Sequence, residues 1–268
     1  MKLQARYLIN PHSKVRLAKL KTDETDGFAS EKAAAVTLEK HRKRLDDLQE
    51  VFYASEQKAL LVVLQGMDTA GKDGAIRHIF SGVNPQGCQV AQFKVPTSLE
   101  ARHDFLWRAH ASVPPRGMIG IFNRSHYEDV LSPRVHKLIS AKDVRRRLQD
   151  IVEFEQMLTD NNVVLLKFFL HISHKEQTAR LQSRIDTTDK HWKLSEADFR
   201  EREFWSEYQA AYEDAIGGTS RKHAPWFVVP SDHKWYRNVV ISSILVNTME
   251  RLKLGYPAPT ADVSKLKL

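Results

Sequence analysis

The stretch Ala59-Leu-Leu-Val-Val-Leu-Gln65-Gly66-Met-Asp68-Thr-Ala70-Gly71-Lys72-Asp73-Gly74 decides the fold. Residues Ala59 to Gln65 are almost wholly apolar, the pattern of a short strand buried on both faces. Gly66 to Asp73 fits G-x-x-x-x-G-K, and Ile76 and Phe80 lie on the helix that should follow. Strand, glycine loop and helix in that order make a phosphate-binding loop. The glycines let backbone N–H groups turn inward around an anion, the helix N-terminus adds its dipole, and Lys72 supplies a mobile positive charge. The phosphate-binding candidates in this stretch are Gly66, Ala70, Gly71, Lys72, Asp73 and Gly74.

Two acids set this loop apart. Asp73 stands where a Ser or Thr hydroxyl normally meets Mg²⁺, and Asp68 lies inside the loop. A carboxylate 4 Å from a phosphate charge is repelled by roughly 4 kcal/mol at an effective dielectric near 20. The pair therefore calls for a divalent cation between acids and phosphates, Mg²⁺ by its preference for hard oxygens, with Mn²⁺ able to substitute. The alternative is that both acids only cap the next helix.

Outward from the loop, strands and helices alternate. Strand patterns cover Cys88–Lys94, Met118–Phe122, Val163–His171 and Trp226–Val229. Helical patterns cover Glu31–Ser55, Leu99–Ala109, Lys142–Thr159, His174–Ile185, Ala197–Ala215 and Trp235–Leu254. That alternation predicts an α/β domain with a parallel central sheet covered on both faces. It should occupy residues 31–255, with 1–30 as a polar N-terminal arm and 256–268 as a tail. The charged excursion at Asp186–Ser195 breaks the apolar periodicity and is expected to move, within a helical lid at about 180–203.

A second polar cluster closes the strand at Met118: Phe122-Asn123-Arg124-Ser125-His126-Tyr127-Glu128-Asp129. Ligands of open α/β sheets bind at such strand ends. Taken with Arg184-Ile-Asp-Thr-Thr-Asp-Lys190-His191-Trp192-Lys193, Asp104–Arg108, Lys167–His171, Ala224–Val228 and Lys234–Arg237, the loop and this block resemble the polyphosphate kinase 2 family over about residues 30–255. The resemblance implies a thymidylate-kinase-like P-loop fold of three layers. It also implies Mg²⁺-dependent, reversible transfer of phosphoryl groups between inorganic polyphosphate and AMP, ADP or ATP, with other nucleotides as further acceptors, by a homo-oligomer. Asn123 and Glu128 resemble the class III pattern, whose members phosphorylate both AMP and ADP.

On that reading the catalytic set is Asp68, Lys72, Arg124 and Glu128, with Arg124 bridging donor and acceptor as a planar bidentate cation. Arg124 and Ser125 join the phosphate-binding set. Asp68, Asp73 and Glu128 are the metal candidates. Asn123, Tyr127, Arg180, Arg184, Lys190, Trp192 and Lys193 are the nucleotide and lid candidates. The nucleophile is a phosphate oxygen that is already anionic, so positioning and charge neutralisation carry the chemistry.

Composition narrows the alternatives. The 268 residues carry 41 Lys and Arg against 33 Asp and Glu, an excess of +8 that favours capture of polyanions. No apolar run has the ~20 residues of a membrane helix. One cysteine, Cys88, suits a reducing cytoplasm. Five scattered histidines (His103, His110, His126, His136 and His171) lack zinc spacing. No nucleic-acid motif accompanies the positive charge. The remaining rivals are an ATP-dependent kinase of a nucleoside monophosphate or small metabolite, and a nucleic-acid-binding protein with a vestigial loop.

Overall fold

A computed structural model describes residues 2–262 and Leu266. Six strands form one sheet: β1 (Leu8–Ile9), β2 (Ala59–Gln65), β3 (Cys88–Gln92), β4 (Ile119–Asn123), β5 (Val163–His171) and β6 (Trp226–Pro230), in the order β1-β6-β5-β2-β4-β3. All neighbours are parallel except β1, which runs antiparallel to β6. The ten helices of the described residues are α1 (Lys2–Tyr7), α2 (Glu31–Ser55), α3 (Lys72–Ile79), α4 (Trp107–Ala111), α5 (Glu128–Val135), α6 (Ala141–Asp160), α7 (His174–Ile185), α8 (Glu196–Glu203), α9 (Trp205–Thr219) and α10 (Lys234–Arg251).

Strand β2 explains the architecture. Its successive side chains point to opposite faces. Leu60, Val62 and Leu64 join one apolar core with Ile79, Ile216 and Ile244, while Leu61 and Val63 join a second with Phe122, Phe154 and Leu158. Both faces of the strand are thus buried, each Leu or Val contributing about 1.5–3 kcal/mol. The register Leu64↔Asn123 and Gln65↔Phe169 aligns the C-terminal ends of β2, β4 and β5. The loops that leave those ends share one edge of the sheet, and that edge carries the site.

Three expectations need correction. The segment read as a polar N-terminal arm outside the core contributes Tyr7, Val15 and Leu17 to the main core, and Tyr7 Oη meets Tyr236 Oη at 2.6 Å. The helix expected at Leu99–Ala109 is a turn of 3₁₀ helix, Glu100–Arg102, followed by α4. Side chains compete for the backbone there. Thr97 N donates to Glu100 Oε2, and Leu106 N donates to Asp104 Oδ1. The helix expected at Ala197–Ala215 is broken into α8 and α9 at Phe204, whose ring packs edge-on against His136. Of the expected tail, residues 256–262 are exposed and the rest, apart from Leu266, lies outside the described residues.

Candidate active site

The loop between β2 and α3 is held closed by its own backbone and by two arginines. Gly71 adopts φ +96°, and a Cβ there would collide with Arg237 Nη1, so both conformation and space require glycine. Ala70 N donates to Met67 O, and Ala70 O accepts from Arg180 Nη1 at 3.0 Å and Arg237 Nη1 at 3.1 Å. Ala70 is therefore an anchor point of the loop, and its amide is not turned toward a ligand. Lys72 opens α3 and is buried, its Nζ donating to Gly66 O at 2.8 Å. Burial, helped by the positive charge of Arg124, draws its ammonium down to about 8 against the pull of Asp68, Glu128 and Asp73.

Beside it, β4 ends in Asn123, whose Nδ2 donates to Asp73 Oδ1 at 2.6 Å and so orients that carboxylate. The next residue, Arg124, has left-handed φ of 60°, a conformation that turns its side chain away from the strand direction. Its guanidinium reaches Asp68 Oδ1 at 2.6 Å and Glu128 Oε2 at 3.3 Å. Burial works against that charge, but Glu128 and Asp68 more than restore it and keep Arg124 protonated. Gln177 Nε2 donates to Asp68 O, and the other carboxylamide atom of Gln177 accepts from Arg202.

Arg124 separates two recesses. One, of about 580 Å³, is lined by Asp68, Lys72, Asp73, Asn123, Arg184, Trp192 and Lys193 among others. The other, of about 250 Å³, is lined by Gly66, Asp68, Glu128, Arg202, Tyr208 and Tyr212 among others. Asp198 lines both, and burial together with the charge of Asp68 raises its carboxyl. Two openings on either side of one planar cation can hold two anionic groups end to end. The donor set also suits a hard divalent cation. Asp68 and Glu128 both reach the Arg124 guanidinium, on different nitrogens, although no group of three His, Cys, Asp or Glu residues among the described residues forms a ready-made cage. Mg²⁺ needs only one or two protein carboxylates when phosphates complete its shell.

Several expected site residues lie elsewhere. Tyr127 is fully buried, with its hydroxyl hydrogen-bonded to Glu155 at 2.9 Å and Thr219 at 2.7 Å, and cannot face a nucleotide. Ser125 is also fully buried, its Oγ accepting from Tyr127 N and donating to the Gln65 carboxamide oxygen, so it stiffens the turn beneath the cleft. Arg180 is no lid cation: its donors reach Thr69 O, Ala70 O, Ser231 O and Glu176, which fixes it under the loop. Lys190 points to Ser183 Oγ at 3.4 Å and is absent from both recess linings. Gly74 packs below the loop, its Cα side facing Arg237.

Sequence reasoning passed over Asp198, Gln177, Arg202, Tyr208, Tyr212 and Arg237. Asp198 carried a signal, since Ser195 and Asp198 have helix-capping spacing and their Oγ and N do bond at 3.3 Å. The others are brought in by folding from α7, α8, α9 and α10.

Comparison with known proteins agrees with this geometry. The model of the family described as polyphosphate kinase 2 matches residues 29–255. An AMP/ADP-polyphosphate phosphotransferase of Meiothermus ruber is 47% identical, over 97% of this chain and 98% of that protein. An ADP-polyphosphate phosphotransferase of Rhodopseudomonas palustris is 42% identical, over 97% and 94%. The crystal structure of polyphosphate kinase 2 from Arthrobacter aurescens TC1 superposes with a TM-score of 0.94 at 39% identity, covering 98% of this chain and 94% of that one. The phosphate loop, the acids around Arg124 and a family match that runs through every strand from β2 to β6 lead to one conclusion: the chain belongs to the polyphosphate kinase 2 family.

Proposed function

We propose that this protein transfers phosphoryl groups from inorganic polyphosphate to AMP and ADP, reversibly. The observation that carries the reading is Arg124, set between two recesses and held by Asp68 and Glu128. Lys72 and the loop amides, those of Ala70 and Gly74 apart, bind the phosphate chain. The recess by Tyr208 and Tyr212 receives the terminal phosphate of the acceptor, and Arg124 spans the group in transit. A dianionic phosphate oxygen attacks in line, so no general base is needed and the work lies in alignment and charge neutralisation. Asp68 and Glu128, with Asp73 oriented by Asn123, would hold Mg²⁺ or Mn²⁺, which supplies charge neutralisation between donor and acceptor phosphates. Arg184, Trp192 and Lys193 belong to a lid that closes over the chain and excludes water, which would otherwise accept the phosphoryl group.

A homo-oligomer is consistent with the open outer edge of β3. A reducing cytoplasm suits the single cysteine. No helix of the described residues is long and apolar enough to cross a membrane.

The test is incubation of the purified protein with Mg²⁺, long-chain polyphosphate and either AMP or ADP, without ATP, followed by ion-exchange separation of products. Lys72→Ala serves as the control for contaminating kinases. ADP and ATP formed from AMP is the expected result. ATP from ADP alone would restrict the acceptor range, and no product from either would leave an ATP-dependent kinase as the better reading.

A further inference from the structure

Five cations of the described residues are deeply buried: Lys72, Arg108, Lys167, Arg180 and Arg237. A buried charge costs several kcal/mol unless it is paired. Arg108 pairs with Asp129 at 2.7 Å, Lys167 with Glu155 at 2.5 Å and Arg180 with Glu176 at 2.7 Å. Lys72 feels Asp68, Glu128 and Asp73. Arg237, only 1% exposed, is different. Its three hydrogen bonds end on neutral oxygens, two on Asn238 Oδ1 and one on Ala70 O. Its charged neighbour is another cation, Arg180, and burial together with that repulsion draws its guanidinium down to about 9. Lys234 and His78 also feel it as a like charge.

The position is as telling as the missing partner. Arg237 Nη1 lies directly against Gly71, and Nη2 lies 3.6 Å from where a Cβ of Gly74 would stand. The guanidinium therefore sits immediately beneath Gly71, whose left-handed turn shapes the loop, and beneath the first turn of α3 at Gly74. A positive charge left uncompensated by the chain, at the floor of an anion site, calls for compensation by the anion.

We infer that Arg237 is a positioning residue for the phosphate donor: its buried charge is neutralised by the linear inorganic polyphosphate lying on the other side of Gly71, and through Ala70 O it keeps the loop in its binding shape. This deepens, and rests on, the proposed polyphosphate-dependent function. In the ligand-free protein the charge is a liability. With the chain bound it becomes an attraction that grows with the negative charge of the donor and is felt across a single layer of backbone.

The test measures binding without turnover. Inorganic tripolyphosphate is titrated calorimetrically into the full-length protein with Mg²⁺ and no nucleotide, at pH 6.5, for wild type, Arg237→Met and Arg237→Lys. Arg237→Met is expected to bind at least tenfold more weakly, and Arg237→Lys, which keeps the charge, within about threefold of wild type. Thermal melts are expected to show a smaller tripolyphosphate-induced rise in Tm for Arg237→Met than for wild type. In steady-state assays KM for polyphosphate rises more than kcat falls. If Arg237→Met does not fold, Arg237→Gln, neutral but able to donate, is read in the same way. Equal affinity of the neutral variant and wild type overturns the inference. So does equal weakening by Lys and by the neutral residue, which would mark a purely structural fork. Wild type that fails to bind tripolyphosphate would instead overturn the functional reading on which the inference rests.

Discussion

The floor and the lid of the cleft offer the same kind of side chain to the same kind of ligand, yet hold it in opposite ways. On the floor the charged groups that line the cleft are each held by a defined contact: Lys72 on Gly66 O, Arg124 between Asp68 and Glu128, Asp73 under Asn123. In the lid, Trp192 is 79% exposed, Lys193 rests over that one ring, and Arg184 has only contacts of 3.3 Å and 3.5 Å to Lys193 O and Asp198. Preorganised groups stabilise a transition state without rearrangement at the moment of reaction. Loosely held groups contribute only after the entropy of ordering them has been met by the ligand. The difference assigns alignment and charge stabilisation to the floor, and capture and water exclusion to the lid.

That contrast can be broken by substitution. Lys72→Ala or Arg124→Ala should lower kcat by about 10³-fold or more while the circular dichroism spectrum and Tm stay close to wild type. A residual rate within tenfold of wild type would move the chemistry off the floor. The double variant Arg184→Ala/Lys193→Ala should raise KM for polyphosphate by about tenfold with a smaller change in kcat, and should increase the share of phosphoryl groups lost to water. Pyrophosphate and phosphate release assays check both. An unchanged KM would deny the lid its role in capture.

Behind the floor, the acid side of the stability profile tests a different kind of charge. Burial pushes the Glu155 carboxyl up, but Lys167 and the hydrogen bond from His126 more than reverse this, leaving it below the usual 4.5. Its contribution to stability is complete above about pH 4.5 and is lost as pH falls through the lowered folded value. Glu155→Gln/Lys167→Met should therefore flatten the dependence of the urea midpoint on pH below about 4.5, with stability at neutral pH changed by no more than ~2 kcal/mol. The smallest effect belongs to Trp192→Ala. With the indole so exposed, unfolding free energy should stay within about 0.5 kcal/mol of wild type, leaving any change in turnover attributable to closure.

Legibility followed distance along the chain. Helices α2 and α7 and strands β2 and β5 have the bounds read from periodicity, because each is long and its apolar spacing is unbroken. The glycine loop, Asn123, Arg124 and Glu128 were legible because each lies within a few residues of a strand's end. Tyr127 and Ser125 were misplaced for a physical reason. A turn with Arg124 in a left-handed conformation sends neighbours to opposite sides, so one contiguous polar block feeds both the cleft and the core. Arg180 was misread because a basic residue on a polar helix looks solvated until the loop carbonyls that receive it are in place. Arg237 owes its importance to Ala70 and Gly71, far away in sequence, which no local pattern encodes, and the capping spacing of Ser195 and Asp198 marks a helix start but not the place of Asp198 in the cleft.

Strand β1 places a demand on how the chain is made. Leu8 and Ile9 pair with Phe227 and Trp226, so the earliest-synthesised strand of the sheet waits for the last. Until residues 226 and 227 have emerged, Tyr7 and Leu17 have no finished core to enter. Closing a loop of that length adds only modestly to the entropy cost, but it delays the closure in time. The segment from β2 to β5 can assemble as the ribosome delivers it, each parallel strand finding a neighbour already in place or soon to follow. The N-terminal strand is then the latch fastened last, and a nascent chain stalled before β6 would carry four of the six strands, with β5 as well as β3 left at an open edge.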